Sequence, residues 1–420
     1  RRAPRTRRTD RLLLEMPPHN ALLAPASLRA LGPRAKPPAR SLNAAVLRGR
    51  RLAIVPRASS VVPKPAVRAS AVATPTRIDI HPGSELEGLR TVSDLVFDTK
   101  SAVNEFGQLG PQAATVSASI VLHVLTENAT GDVGALEGAM VYEPCSVENC
   151  GTEADRLDCV VDKTFVNLAS LFADRVEGKV SVEVDVHSAK TVEEIVARAK
   201  RMKAMFQELA IAVSDKILFK VPATWKGIEA VRRLEEEGIH CHVTHVYCLE
   251  QAALAIRANA ALLQTYVGRT NTWYASRAAE TKANCLGEGV DPSLVGVELT
   301  RQIDALVRCH KGKTKIIAAS VRNREEAIAL AGCDFLLLNE RVIAALNEKP
   351  SADKSAWVAH NFHDAGCPDV PEGIDEAAFE VALASSPAGE ELTLGMKNSA
   401  VADERLREYI KQRVAPGSGQ

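Results

Sequence analysis

Short apolar segments alternate with amphipathic helical segments after about residue 90, and this alternation restricts the fold more than any other feature. The predicted strands are Val92–Asp98, Ala113–Val121, Val180–Val186, Ile217–Pro222, Cys241–Tyr247, Leu262–Gly268, Thr314–Ser320 and Phe335–Asn339. Eight strand–helix repeats predict a parallel sheet, either closed as a (β/α)8 barrel or open and doubly wound. Neither a Gly-x-Gly-x-x-Gly motif nor a P-loop follows any of these strands, which weakens the open, nucleotide-binding alternative.

The third predicted strand favours the closed form. Within Val180–Val186, Ser181, Glu183 and Asp185 share one face and four valines share the other. Strands inside a parallel sheet are usually apolar on both faces, so the polar side chains of this strand need a polar environment. The mouth of a barrel provides one, and active sites lie there; an edge strand that faces water is the alternative.

We therefore predict an α/β fold, a (β/α)8 TIM barrel over residues 85–415, with a disordered N-terminal leader. A C-terminal helix is expected over residues 401–414. Residues 127–162 interrupt the repeat with frequent Gly, Glu and Asp, and are predicted to be a loop insertion. Asp185 is assigned a structural role.

A lysine interrupts the fourth predicted strand, where Lys220 lies between Phe219 and Val221. Desolvation disfavours an ammonium group, and a neutral amine can attack a carbonyl to form a Schiff base. The ordinary alternative is a lysine that extends from a strand end into solvent. The polar third strand beside it favours Lys220 as a nucleophile, because both strands would end at the same barrel mouth.

Basic residues are concentrated at the start of the chain. Residues 1–75 hold 16 Lys and Arg against two acids, Asp10 and Glu15. This leader is rich in Arg, Ala, Pro, Leu and Ser, as organelle transit peptides are, and Val67-Arg-Ala-Ser70 resembles a plastid processing site. A basic disordered tail that binds a partner is the alternative. We predict a plastid transit peptide over residues 1–75 and a location in the chloroplast stroma.

The remainder of the chain is acidic, with 36 basic and 50 acidic residues. Such a balance gives no basic footprint for nucleic acid, so no nucleic-acid partner is expected. No apolar run approaches the roughly 18 residues of a membrane span, so no membrane partner is expected either.

The nine cysteines show no regular spacing, and an odd count in a non-secreted chain argues for reduced thiols. Cys145, Cys150 and Cys159 lie close enough in sequence for a regulatory disulfide, with unpaired thiols as the alternative.

Three histidines at or just before the fifth predicted strand, followed by Cys248, have the composition of a metal cluster. On a strand, His240 and His242 share a face and His245 points the other way. The ligand atoms would therefore diverge, and we predict no metal site. His242 is interpreted as a polar residue of the substrate site, with simple packing as the alternative.

Several segments together resemble the transaldolases, which are (β/α)8 enzymes of the class I aldolase superfamily. The resemblance runs from about residue 90 to 415. It is carried by Leu95-Val-Phe-Asp-Thr99, Val182-Glu-Val-Asp185, Lys220-Val-Pro-Ala-Thr-Trp-Lys-Gly-Ile228, Glu237-Gly-Ile-His-Cys-His-Val-Thr244, Val267-Gly-Arg269, Trp273-Tyr274, Ala319-Ser-Val-Arg-Asn323 and Leu330-Ala-Gly-Cys-Asp334.

The resemblance implies a catalytic set of four residues. Lys220 forms a Schiff base with a ketose phosphate, Glu183 transfers protons through a bound water, and Thr244 holds that water. Asp98 removes and returns the hydroxyl proton when the carbon–carbon bond breaks and forms. The imine acts as the electron sink, so no metal or organic cofactor is implied.

The resemblance also implies a phosphate site made of Arg269, Ser320 and Arg322, and a homodimer. Arginine suits a phosphate because its planar fork of donors matches the anion.

The remaining substrate contacts depart from the family pattern. Ser117 stands where the family has an asparagine, His242 replaces another asparagine, and Gln264 replaces a serine. We keep Ser117, His242 and Gln264 as substrate-binding candidates, with their contacts to the substrate open.

The sequence thus predicts a transferase that moves a dihydroxyacetone unit between sugar phosphates in the pentose phosphate pathway. The expected reaction converts sedoheptulose 7-phosphate and glyceraldehyde 3-phosphate into erythrose 4-phosphate and fructose 6-phosphate. Two alternatives remain: a sugar-phosphate binder or assembly subunit with little or no activity, and a Schiff-base aldolase that cleaves its ketose without transfer.

Overall fold

All eight strands run parallel in one sheet. The structure is a computed structural model that describes residues 80–97, 113–127, 134–184, 191–277, 291–348, 350 and 362–414. The strands are β1 (Asp94–Phe97), β2 (Ala114–Val116), β3 (Val180–Glu183), β4 (Ile217–Pro222), β5 (Cys241–Val246), β6 (Leu262–Tyr266), β7 (Lys315–Ala319) and β8 (Phe335–Leu338). The predicted leader, residues 1–75, lies outside the described residues, as do Asp98 and Asp185.

The order of the strands identifies the architecture. From β2 to β8 each strand pairs with the next one along the chain, and β1 pairs with β8. A doubly wound sheet reverses its order at a switch point, whereas this order is that of a nearly closed barrel. The (β/α)8 prediction is therefore confirmed.

Helices separate most of the strands. They are α1 (Glu85–Leu89), α2 (Ala118–Glu127), α3 (Gly134–Met140), α4 (Val147–Cys150), α5 (Glu153–Ala173), α6 (Val192–Glu208), α7 (Val213–Lys216), α8 (Trp225–Glu236), α9 (Leu249–Arg257), α10 (Val267–Ser276), α11 (Val295–Cys309), α12 (Arg324–Ala329), α13 (Glu340–Glu348), α14 (Glu376–Ala384) and α15 (Ala388–Val414). Side-chain caps explain several starts; at α6, for example, Thr191 and Glu194 form a complete capping box.

Three boundaries differ from the prediction. The predicted second strand continued to Val121, but α2 already begins at Ala118, because a short apolar run suits either structure. Much of the stretch predicted as a loop at 127–162 is helical: α3 and α4 lie within it, and Thr152 caps an α5 that starts at Glu153. The final helix begins at Ala388, 13 residues before its predicted start.

Two separate apolar cores stabilise the barrel. Inside it, Val96, Leu218, Leu262 and Ile317 form one buried cluster. The much larger second cluster lies between the outer face of the sheet and the helices. Side chains alternate along each strand, so the polar residues next to the inner cluster share the barrel interior with it. This places the polar face of β3 where the sequence predicted.

Carboxylates fix the amino ends of neighbouring strands. Glu235 Oε1 accepts hydrogen bonds from the backbone N–H of Cys241, at 2.7 Å, and of Ala261, at 3.0 Å. Asp334 Oδ2 accepts from the N–H of Ile316 at 3.0 Å. These contacts are at the end of the barrel opposite the predicted site, and they have structural roles.

Two disulfides correct the expectation of reduced thiols for four cysteines, while Cys150, Cys241, Cys248 and Cys333 are free thiols. Cys145 is bonded to Cys159, with Cα atoms 5.3 Å apart, and Cys309 to Cys367, with Cα atoms 6.1 Å apart. Sequence spacing cannot show such proximity, because helices and loops decide which Cα atoms approach.

Among the described helices, none combines the length and the apolarity that a membrane crossing requires.

Candidate active site

Glu183, Lys220 and His242 lie side by side on β3, β4 and β5. Glu183 pairs in register with Lys220, and Lys220 pairs with His242. Backbones of adjacent strands lie about 4.8 Å apart and in-register side chains point the same way. An amine, a carboxyl group and an imidazole therefore share one patch of the barrel interior. Lys220 and Glu183 are half-buried, so a small molecule can reach them from the mouth.

Glu183 is held by the segment that follows β2. Its Oε2 accepts a hydrogen bond from the backbone N–H of Ala118 at 3.1 Å, at the start of α2. Ser117 is the preceding residue, and its hydroxyl lies 3.2 Å from that of Ser119. The structure therefore places Ser117 next to the residue whose N–H binds the Glu183 carboxylate, and its contact with a substrate stays a prediction.

His242 is anchored to the third strand across the fourth. Its Nδ1 shares a hydrogen bond of 2.8 Å with Ser181 Oγ. This contact shows that the polar face of β3 points into the barrel, because alternate strands meet only there. Burial lowers the pKa of His242 well below its usual 6.5, and the charges of Lys220 and His245 lower it further. A neutral imidazole therefore lies next to Lys220 and adds no positive charge to the site.

Thr244 belongs to a small polar network. Its hydroxyl donates to Gln264 Oε1 at 3.0 Å and shares a hydrogen bond of 2.9 Å with the Tyr266 hydroxyl. Gln264, predicted to contact the substrate, is buried and supports Thr244. Tyr266 was missed by the sequence reasoning, although it is on the same face of β6 as Gln264, two residues further on.

A bulge near the end of β5 turns His245 toward the network. Pairing with β6 shifts between Val243 and Val246, and His245 has a φ of 62°. Its ring stacks on Tyr266 at 5.1 Å between ring centres. The alternation that predicted His245 on the opposite face fails here, because a bulge breaks the period of two.

The second group of predicted residues surrounds the ends of β6 and β7. Arg269 is in the first turn of α10, while Ser320 and Arg322 follow β7. The N–H of Gly268 donates to the Ser320 carbonyl at 3.0 Å, and the Arg322 guanidinium donates to Thr272 Oγ1. Three donors predicted to bind phosphate are therefore grouped at the carboxyl ends of two adjacent strands.

The last helix reaches the same region. Glu391 in α15 lies 3.8 Å from the Arg269 guanidinium, which also covers the Tyr266 ring at 4.9 Å from its centre. No sequence pattern indicated Glu391, since its partner is 122 positions away.

The arrangement is suited to carbonyl chemistry on a phosphorylated substrate. A lysine and a carboxylate are adjacent for imine formation and proton transfer, and two arginines offer forked donors to an anion. Within the described residues no group of three or more His, Cys, Asp or Glu is placed to bind a metal. The fourth predicted catalytic residue, Asp98, lies outside the described residues.

Comparisons with known proteins point the same way. A family model described as Transaldolase/Fructose-6-phosphate aldolase matches residues 107–408. A transaldolase of Methylibium petroleiphilum is 29% identical over 332 residues, which cover 78% of this chain and 99% of that protein. A probable transaldolase of Dictyostelium discoideum is 30% identical over 291 residues, 69% of this chain and 86% of its own. A transaldolase of Chlamydia caviae is 30% identical over 337 residues, 79% of this chain and 98% of its own. The chain therefore belongs to the transaldolase family and is a transferase enzyme by that membership.

Proposed function

We propose that this protein transfers a dihydroxyacetone unit between sugar phosphates through a Schiff base on Lys220. The observation that carries the proposal is the register of Glu183, Lys220 and His242 at a barrel mouth that also holds Arg269 and Arg322. The proposed donor and acceptor are sedoheptulose 7-phosphate and glyceraldehyde 3-phosphate, and the products are erythrose 4-phosphate and fructose 6-phosphate, as in the pentose phosphate pathway.

The proposed reaction begins when the Lys220 amine attacks the ketose carbonyl. The carbinolamine loses water to give an iminium, and Glu183 supplies and accepts the protons through a water held by Thr244. Asp98 removes a hydroxyl proton, the carbon–carbon bond breaks, and its electron pair moves to the nitrogen as an enamine. The aldose phosphate leaves, the enamine attacks the acceptor aldehyde, Asp98 returns the proton, and hydrolysis frees Lys220.

The experiment is reductive trapping with fructose 6-phosphate and borohydride. Reduction of the imine should attach the three-carbon or six-carbon unit covalently to Lys220, detected by the mass of the peptide that contains it. The K220A variant should show no adduct, and K226A, which removes an exposed lysine of α8, should keep it. A folded wild-type protein without any adduct contradicts the proposal.

Two further functions predict different results. A binder without turnover, suggested by Ser117 and Gln264, predicts that sugar phosphate raises Tm while no product forms. An aldolase, which the family description names beside transaldolase, predicts free dihydroxyacetone in the absence of an acceptor aldehyde. Product analysis with and without acceptor separates both from transfer.

We further propose that the protein acts in plastids as a homodimer. The plastid location rests on the composition of residues 1–75, and the dimer rests on the family resemblance. Imaging of residues 1–75 fused to a fluorescent protein tests the first, and sedimentation tests the second.

A further inference from the structure

Glu326 and Asn271 form a buried pair next to the loop after β7, which carries Arg322, and α10, which carries Arg269. Glu326 in α12 is 5% exposed and Asn271 in α10 is 6% exposed. Glu326 Oε2 accepts from the backbone N–H of Arg322 at 2.7 Å, and its Oε1 accepts from Asn271 Nδ2 at 3.0 Å. Asn271 Oδ1 in turn accepts from the N–H of Gly296 at 2.7 Å. The pair thus joins the loop after β7 to two helices.

This arrangement differs from ordinary helix capping. Asn323 caps α12, since its Oδ1 accepts from the N–H of Glu326 at 2.8 Å. In a capping box the third helical residue would bond back to the N–H of the cap residue itself. Glu326 bonds instead to the residue before the cap, and its second oxygen goes to another helix. The carboxylate therefore fixes the position of Arg322 relative to α10, which carries Arg269.

The first turn of α10 and the loop after β7 also contact each other closely. A methyl group at Gly268 would lie 2.5 Å from both the Ser320 carbonyl oxygen and Arg322 Nε. Ser320 has a φ of 58°, a conformation that non-glycine residues rarely adopt. A strained residue persists where its surroundings hold it, and the Gly268 N–H bond to its carbonyl is one such restraint.

We propose that Glu326 and Asn271 are positioning residues that hold Arg269, Ser320 and Arg322 in a fixed arrangement for the phosphate group of the substrate. The inference rests on the proposed function, because it takes these three residues as the phosphate site. A preorganised site binds more tightly, since it loses less freedom and needs less reorganisation on binding. Neither residue of the pair needs to touch the substrate.

The donor and acceptor of the pair can be exchanged. In E326Q the new amide would oppose the Asn271 amide, and in N271D the new carboxylate would oppose Glu326, so each single variant loses the bond. In the double variant E326Q/N271D the amide at 326 again donates to an oxygen at 271. The acceptors for the N–H groups of Arg322 and Gly296 remain.

The experiment compares the four proteins with a phosphorylated and an unphosphorylated acceptor, glyceraldehyde 3-phosphate and glyceraldehyde. The ketose phosphate donor uses the same phosphate site and is therefore kept at a saturating concentration. Each single variant should then raise KM for glyceraldehyde 3-phosphate about tenfold, with kcat and the rate with glyceraldehyde nearly unchanged. The double variant should recover most of the loss. Equal losses with both acceptors, or no recovery in the double variant, would overturn the inference.

E235Q is the matched control. Glu235 is also a buried carboxylate that accepts two backbone N–H bonds, but it lies at the opposite end of the barrel. This variant should lower Tm and leave the preference for the phosphorylated acceptor unchanged. A change of that preference equal to the change in E326Q would overturn the inference.

Calorimetric titration with inorganic phosphate separates this inference from the proposed function. If no transfer occurs in the wild type, weaker phosphate binding in both single variants and recovery in the double variant still support the positioning role. Equal phosphate affinity in all four proteins contradicts the role even where transfer is normal.

Discussion

At the scale of single residues, the site depends on which neighbours each polar group has. Lys220 lies in register between a carboxylate and a neutral imidazole, and Thr244 is bonded to Gln264 and Tyr266. His242 and Gln264 depart from the family pattern, yet both have hydrogen-bonded places in the barrel. Ser181 and Thr244 therefore hold these two residues in place inside the barrel.

His242 makes stability depend on pH. Burial, together with the charges of Lys220 and His245, keeps its pKa well below 6.5 in the folded chain. The unfolded chain therefore binds the extra proton, and stability falls as the pH drops below about 6.5, by up to about 1.4 kcal/mol per pH unit. Above that pH this contribution is fully present.

In wild type, the uptake of one proton by His242 on unfolding makes the free energy of unfolding decrease as the pH drops below 6.5. In H242N this decrease should be smaller by up to about 1.4 kcal/mol per pH unit. Urea denaturation at pH 5 to 8 measures the difference. H310N, which changes an exposed histidine, should keep the wild-type slope. A wild-type slope in H242N would show that His242 does not carry this dependence.

At the scale of elements, the structure differs from the sequence-based predictions mainly at contacts between two elements. The period of two placed Ser181 and Glu183 correctly inside the barrel, because β3 is regular. It failed for His245, because the bulge in β5 is stabilised by contacts with β6 and α15. The long helix α15 was predicted only over its final part, since its first half packs on residues distant in sequence.

Gly395 is where α15 approaches the bulge most closely. A methyl group there would lie 2.3 Å from His245 Cε1 and 2.7 Å from its Nδ1, and the ring cannot move freely because it stacks on Tyr266. G395A should therefore lower the free energy of unfolding by about 1–3 kcal/mol, despite the better helix propensity of alanine. Chemical denaturation measures the change.

N398A in the same helix is the control, because Asn398 is exposed and the substitution changes propensity alone. It should be neutral or slightly stabilising. A stable G395A protein would mean that α15 can move away from β5 at little cost.

At the scale of the whole molecule, contacts between the two ends of the barrel sequence bring β1 into the sheet beside β8. β1 pairs with β8 over four residue pairs, and Glu85 in α1 forms a two-bond ion pair with Arg324 in α12, 239 residues away. Such contacts join residues far apart in the chain and must offset the entropy of closing the long loop between them. They are therefore sensitive to removal of one partner.

E85Q should lower the free energy of unfolding by about 1–3 kcal/mol, because the mostly buried Glu85 side chain, 8% exposed, loses its charged bonds to Arg324. E325Q removes the other carboxylate on the same arginine, 72% exposed, and should change stability by less than about 0.5 kcal/mol. Thermal and urea unfolding of both variants measure the difference. Equal decreases in the two variants would show that burial of the Glu85–Arg324 ion pair does not increase its contribution to the free energy of unfolding.

The sequence by itself determined the repeat of strands and helices, the inward face of β3 and the position of Lys220. These follow from periods of 2 and 3.6 that local chain geometry imposes. Tertiary structure alone decided which groups support them: Ser181 against His242, Tyr266 against Thr244, Glu326 and Asn271 behind the arginines, and the pairing of the cysteines. Those contacts join residues up to 61 positions apart. Whether two such groups meet depends on strand register, a bulge and helix packing, which no local pattern encodes.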